Sequence, residues 1–414
     1  MRREYSIERS ENLYQRARKT LPFGTTTDAK KPIELFKGYM PLFIERGQGC
    51  RIVDIDGNVF IDYRCGLGKI ILGYGHPVVN MAVSEQLDRG VIFSMASSLE
   101  VKLAERLINF IPCAEMVQFG KTNADMFQAA IRLARYYTKK EKVVSCGLNS
   151  WHDWCVAKDR SHLEKGIPHK LSSLVYDLKY NDLKTLRKII KKDARHIAAL
   201  VTVPYDWGEN TKQDFLQELR WLTSRNRIIL IFDETLTGFR LSMGGGQTYF
   251  KITPDFSIFS NAIANGHTLS VLLGREKFMK KINDLYIGNT SGGETLALMS
   301  ALVTIEEMSK HNVIKHIWTM GERLMTGFNR IAQEVGIKAR AIGLPPACSF
   351  LFEEKDPKLN KSFFRVFCCE MFRNGIFVNE NMYITYAHKD KDIDDTLAAI
   401  KESMVTAKRR ILKM

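Results

Sequence analysis

The stretch Ile228-Ile-Leu-Ile-Phe-Asp-Glu-Thr-Leu-Thr-Gly-Phe-Arg240 runs from continuous apolar residues straight into a pair of carboxylates. A short, β-rich apolar run of this kind predicts a strand buried on both faces, with Asp233 just beyond its carboxyl end. Runs of the same type stand on either side: Val143-Val-Ser-Cys146, Ala198-Ala-Leu-Val-Thr-Val203, Phe256-Ser-Ile-Phe259 and Leu269-Ser-Val-Leu-Leu273. Helical patterns separate them at 79–88, 99–111, 125–138 and 214–226. In the third, Phe127, Ile131, Leu133, Ala134 and Tyr137 supply an apolar face. Strands alternating with helices predict an α/β fold whose mainly parallel sheet is covered on both sides. Such sheets bind ligands beyond the carboxyl ends of their strands, which directs attention to Asp233 and to the residues after Phe259.

Working outward, Cys50-Arg-Ile-Val-Asp-Ile and Val59-Phe-Ile-Asp-Tyr flank Asp56-Gly57-Asn58, a hairpin signal. Past residue 295 a long helical stretch precedes strands near 347–352 and 383–386 and a final helix from about Asp392 to Leu412. These ends are expected to pack together as a smaller α+β domain. The predicted division is 1–65 and 301–414 for the small domain and 66–300 for the large one.

The 414 residues carry 61 Lys+Arg against 46 Asp+Glu, a net charge of +15, with 45% hydrophobic residues, which suits a soluble globular chain. No apolar run is long enough to span a bilayer, and Met1-Arg-Arg-Glu-Tyr-Ser lacks the apolar core of a secretion signal, so a cytoplasmic location is the default expectation. Eight scattered cysteines without a CxxC pair read as reduced, mostly buried thiols. Basic residues, including those of 184–192 and 408–413, are spread without interleaved aromatics. They are read as solvated surface, with no nucleic-acid or membrane partner expected.

The chain resembles the class III aminotransferases, the fold-type I pyridoxal phosphate (PLP) enzymes, in their glutamate-1-semialdehyde aminomutase-like branch. The resemblance is carried by 41–58, Gly66-Leu-Gly, Leu72-Gly-Tyr-Gly-His-Pro, Ala129-Ala-Ile-Arg-Leu-Ala-Arg, Trp151-His-Asp-Trp, 232–240, 254–260, Ala262-Ile-Ala-Asn-Gly and Gly292-Gly-Glu-Thr-Leu, in that order. It implies a fold-type I PLP-transferase fold and a dimer with active sites formed between two subunits. Segments such as Leu344-Pro-Pro and Tyr386-Ala-His look like those of relatives in surface-polysaccharide or amino-sugar pathways.

The resemblance also implies five local devices. The lysine that carries the cofactor as a Schiff base precedes Ala-Ile-Ala-Asn-Gly; here Asn261 stands there, and an amide cannot form an imine. The phosphate is held at a helix N-terminus by a Gly-Ser type turn, matched here by Asn123 and Ala124 in Gly120-Lys-Thr-Asn-Ala-Asp. Asn123 can still adopt a left-handed turn, and Ala124 has no hydroxyl to donate. The ring that stacks on the pyridine precedes the tryptophan, where this chain has Leu148-Asn149-Ser150. The aspartate that partners the pyridine nitrogen matches Asp233, and the threonine donated to the neighbouring subunit's site matches Thr290 in Thr-Ser-Gly-Gly-Glu.

Structural alternatives stand beside each of these. Asp233 could cap the turn after its strand, and Thr290 with the two glycines could serve a tight interface turn. Lys121 could meet a phosphate or be a solvated charge; Trp151 and His152 read as packing residues, and Asn261 as a ligand partner or a filler of the vacated lysine space. The uneven losses predict a chain that has stopped using the cofactor, and three functions stay open. One is a pseudoenzyme paired with itself or with an active paralogue, lending it Thr290. The second is a cleft repurposed for an anionic small molecule through Lys121, Asp233 and Asn261. The third is an active PLP enzyme, aminotransferase or aminomutase, whose lysine has been substituted.

Overall fold

The computed structural model describes residues 5–147, 151–156, 165–207, 213–378 and 381–412. Its chain divides into two compact units, Met1–His76 with Lys315–Met414, and Pro77–Ile314.

In the first unit, β1 (Ile44–Gln48), β2 (Arg51–Asp54) and β3 (Val59–Asp62) form an antiparallel meander. The predicted hairpin is the β2–β3 pair, with Ile52 opposite Phe60. Gly57 turns it at φ 83°, a left-handed value that glycine takes without penalty. The Asp54 carboxylate accepts the Asn58 amide at 2.7 Å, closing the turn.

The second unit is built on seven strands: β4 (Met116–Gly120), β5 (Lys142–Cys146), β6 (Val175–Leu178), β7 (Ile197–Thr202), β8 (Ile229–Asp233), β9 (Phe256–Phe259) and β10 (Ser270–Gly274), in the order β4-β10-β9-β8-β7-β5-β6. β9, β8, β7, β5 and β6 run parallel, and β10 is antiparallel to both neighbours. Every residue of β7, β8, β9 and β10 is buried, which is why these strands read as unbroken apolar runs. The helix Asn123–Thr138 lays Phe127, Ile131, Leu133 and Ala134 into a core with Val143, Val201, Ile231, Ile258 and Leu272. Emptying one such position, as in Phe127→Ala, costs about 3–5 kcal/mol. Tyr137, expected on the same face, is instead 42% exposed and meets Phe278 edge-on.

The chain then returns to the first unit with β11 (Ala339–Leu344), β12 (Ala347–Phe352), β13 (Ile376–Phe377) and β14 (Met382–Tyr383). β11, β12 and β14 form their own sheet, while β13 pairs parallel with β3 and thereby unites the two chain ends. The junctions lie at His76/Pro77 and Ile314/Lys315, later than the expected 65/66 and 300/301. Hydrogen bonds Tyr74–Gly49 and Tyr386–Ile71 hold residues 66–76 to the first unit. The helix Thr295–Lys310 stays with the second by packing on the helices Pro77–Arg89 and Ser98–Phe110.

All eight cysteines are free and all but Cys155 are buried, as expected. Among the described residues no helix is long and apolar enough to cross a membrane, and no His/Cys/Asp/Glu cluster could hold a metal ion.

Candidate functional site

Strand polarity assembles the site. β4, β9 and β8 end where antiparallel β10 begins, so the residues after Gly120, Phe259 and Phe232 gather on one rim of the sheet. Asn123, Ala124, Asp233 and Asn261 all belong to this rim, at or just beyond the strands' carboxyl ends.

Asp233 is the last residue of β8, and only 7% of it is exposed. One carboxylate oxygen accepts the Thr235 amide at 2.9 Å. Burial raises its pKa, and hydrogen bonding from Thr235 opposes the shift only in part. Among the described residues no cationic side chain lies within ion-pair distance of it. The turn-capping alternative is therefore realised, yet it leaves the carboxylate able to take a further N–H, such as that of a protonated pyridine.

Asn261 follows β9 through Ser260, whose hydroxyl donates to the Leu269 carbonyl at 3.0 Å. Its φ of 50° is left-handed, a region where asparagine is enriched, and it opens the short 3₁₀ turn Asn261–Ala264. Its side chain presents an amide, with no amine to attack a carbonyl.

The helix Asn123–Thr138 begins on a reciprocal cap. The Thr122 hydroxyl accepts the Asp125 amide at 3.2 Å, and the Asp125 carboxylate accepts the Thr122 amide at 3.0 Å. The Thr-x-x-Asp spacing could have shown this in the sequence. Asn123 is the first helical residue and does not take the left-handed turn considered for it; Ala124 is buried behind it. Their amides belong to the first turn, which intrahelical bonds cannot satisfy, so they remain suited to an anion.

Lys121 is committed elsewhere. Its ammonium lies 2.7 Å from a Glu294 oxygen and 3.2 Å from the Thr268 carbonyl. Glu294 in turn accepts the Leu296 and Ala297 amides at the start of the helix Thr295–Lys310. This ion pair fastens the turn that carries Thr290 to the end of β4. Thr290 itself is exposed. Two residues on, a Cβ at Gly292 would stand 3.0 Å from the Phe119 carbonyl, so the close approach favours glycine.

The sequence reading assigned no role to Glu234, beside Asp233. Fully buried, it accepts the Gly246 and Gln247 amides at 2.7 and 2.8 Å and the Thr237 hydroxyl at 2.5 Å. Burial pushes its pKa up to about 7. A Cβ on Gly245 would come 2.5 Å from its carboxylate, so the Gly244-Gly-Gly246 run was the available signal.

Trp151 does not pack as expected: it is 80% exposed, with the His152 ring 4.8 Å away. Trp154 instead enters the core against Phe127. Leu148 and Asn149, the expected positions of lost ring stacking, lie outside the described residues.

The family model described as aminotransferase class-III matches residues 36–402. The chain belongs to this family. This class III aminotransferase homologue is 31% identical over 420 residues to the 3-aminobutyryl-CoA aminotransferase of Cloacimonas acidaminovorans, covering 99% of this chain and 100% of the relative. It is 29% identical to the glutamate-1-semialdehyde 2,1-aminomutase of Archaeoglobus fulgidus, with 96% and 100% covered. Among solved structures it resembles the PLP internal aldimine form of the FumI protein of Sphingopyxis sp. MTA144, at a TM-score of 0.90 and 24% identity over 98% of this chain and 97% of that one. A lysine-to-alanine variant of the Pseudomonas aeruginosa PAO1 glutamate-1-semialdehyde aminomutase, in complex with PMP, matches at 0.84 and 19%, over 96% and 94%. Fold-type I architecture with a mainly parallel large sheet is thus established. The expectation of no cofactor is overturned: family, relatives and structural neighbours point to PLP. The reading that led there gave weight to lost side chains, whereas the buried Asp233 carboxylate and the first-turn amides remain.

Proposed function

We propose that this class III aminotransferase homologue holds PLP, or its amine form PMP, by non-covalent contacts alone and does not by itself run ordinary transamination. The observation that carries the reading is Asn261, an amide two residues past the end of β9 at the position that the resemblance gives to the lysine. The buried Asp233 carboxylate takes the pyridine N–H, and the first-turn amides at Asn123 and Ala124 receive the phosphate. Asn261 orients the ligand by hydrogen bonding. The bound cofactor supplies an electron sink and a carrier for an amino group. Without an amine at position 261, the chain has no group there to take the cofactor covalently and then relay a proton.

The test is absorption spectroscopy with added PLP or PMP, followed by borohydride reduction and mass spectrometry. Reversible binding with no reduced adduct is expected, and Asn261→Lys should gain the adduct. A borohydride-fixed adduct on the unaltered protein, or steady turnover of an amino donor, would overturn the reading.

Exposed Thr290 in an intact Thr-Ser-Gly-Gly-Glu segment favours a second reading, in which the chain forms a dimer and lends this residue to its partner. Met81, Leu87, Phe93 and Met95, all more than half exposed on the same unit, supply an apolar surface suited to self-association. Native mass spectrometry with and without co-expressed paralogues separates homodimer from heterodimer, and a strictly monomeric protein would sink this reading.

A further inference from the structure

Side chains alternate along β8. Ile229 and Ile231 enter the core that the helix Asn123–Thr138 covers, and Asp233 continues that face, toward the helix whose first turn carries the Asn123 and Ala124 amides. Glu234 must then turn to the opposite face, and its main chain holds it there. Its amide adds one more rung to the ladder by donating to the Ile258 carbonyl at 2.9 Å, and its carbonyl accepts the Gly238 amide at 2.8 Å.

The side chain is fixed as firmly. One carboxylate oxygen accepts the Gly246 amide and the Thr237 hydroxyl, and the other accepts the Gln247 amide. Gln247 passes the restraint on: its Oε1 accepts the Cys113 amide at 3.0 Å, and its Nε2 donates to the Ser257 hydroxyl at 2.8 Å. Ser257 is the β9 partner of Phe232, the residue before Asp233. Glu234 is thereby tied to β8, to β9 and to the segment that precedes β4. A Cβ on Gly246 would stand 2.6 Å from the Pro204 ring and 3.3 Å from the Glu234 carboxylate, so the loop is shaped around this one side chain.

An extended chain cannot rotate one residue without rotating its neighbour, so a fixed Glu234 fixes the direction in which Asp233 leaves the backbone. Asp233 has little else to hold it, since among the described residues only Thr235 engages its carboxylate. We propose that Glu234 is a positioning residue for the cofactor site, setting the aim of Asp233 from the opposite face of the sheet without touching the ligand. The proposal rests on the reading that Asp233 takes the pyridine N–H.

The experiment is a double-mutant cycle on the full-length protein. Glu234→Gln keeps the shape but sets an amide N–H against one of the two backbone donors, and Thr237→Val removes the hydroxyl donor at nearly constant volume. Each is made alone and together with Asp233→Asn, and affinity for PLP and PMP is followed by absorbance titration. Where Asp233 is present, Glu234→Gln should weaken binding about tenfold and Thr237→Val about threefold, and neither should weaken it further in Asp233→Asn. Equal losses in both backgrounds mark a glutamate that only braces its loop and would overturn the proposal, as would unchanged affinity in both single variants. If Glu234→Gln does not fold, the Thr237→Val arm of the cycle decides alone. If the unaltered protein binds neither PLP nor PMP, the cofactor reading fails, and the decision passes to cofactor-free protein with isotope-labelled aspartate carboxyls read by carbon NMR. The Asp233 signal is the one absent from Asp233→Asn, and its titration should shift in Glu234→Gln and Thr237→Val. An Asp233 titration that neither variant moves would overturn the proposal without reference to any cofactor.

Discussion

The Lys121 ammonium stands 2.7 Å from a Glu294 oxygen while that same carboxylate caps the helix Thr295–Lys310. One side chain thus joins the loop before the helix Asn123–Thr138 to the turn that bears Thr290. Glu294→Ala removes both cap and ion pair and should cost about 2 kcal/mol, against about 1 kcal/mol for Lys121→Met, which spares the cap. Urea unfolding of the two variants and of the double variant measures both costs, and equal losses would show that the cap is inert.

Asp233 leads to a prediction of opposite sign. Burial raises its folded pKa, so its contribution to stability is full below the ordinary carboxylate range and is lost as pH rises through the raised value. Asp233→Asn should therefore unfold no more easily than the unaltered protein at neutral pH. Its affinity for PLP, followed by absorbance titration, should fall at least tenfold, or about 1.4 kcal/mol. Unchanged affinity would detach this carboxylate from the cofactor.

At Asn261 the backbone sets the cost of restoring a lysine. Its φ of 50° suits asparagine and glycine better than a long side chain. In cofactor-free protein, Asn261→Lys should lose about 1 kcal/mol and Asn261→Gly should stay within about 0.5 kcal/mol. Denaturation curves recorded without PLP check this, and the lysine variant should recover its loss when PLP is added.

His388 sets an acid limit on the first unit. It is fully buried, its ring stacked on Tyr63 at 4.6 Å, and its Nδ1 accepts the Thr385 amide at 3.0 Å. Burial lowers its pKa to about 4. A depressed histidine contributes stability that is fully present above its unfolded value of about 6.5 and is lost as pH falls toward 4. Protonation would also turn the Thr385 acceptor into a donor. Unfolding free energy should drop by roughly 2–3 kcal/mol between pH 6.5 and 4. The slope attributable to this residue should vanish in His388→Gln.

What the sequence revealed of the large sheet follows from burial. β7, β8, β9 and β10 lie inside it and carry the continuous apolar runs from which they were predicted. β4 and β6 are its two edges, and their partly exposed sequences, Met-Val-Gln-Phe-Gly and Val-Tyr-Asp-Leu, produce no such run; neither was foreseen. Asp233 stood out because it ends a buried apolar run, whereas Asn261 was singled out only by the family resemblance. The Lys121–Glu294 pair was not legible, since its partners lie far apart in the chain and nothing local couples them. Glu234 was hidden for another reason: its donors are backbone amides, which leave no side-chain signature beyond the glycines around it.

The parallel pairing of β3 with β13 sets Asp62 beside Phe377, with the whole 77–314 unit between them in sequence. During synthesis, the unit 77–314 can close while its successor is still being made. The first 76 residues must wait for their sheet partner for roughly fifteen seconds to a minute at ordinary elongation rates. Throughout that interval the free edge of β3 and the apolar side chains Phe60 and Ile61 lack their final cover. The nascent amino-terminal segment therefore presents an unpaired strand edge of the kind that chaperones cover, and slowing translation within 77–314 would lengthen its exposure.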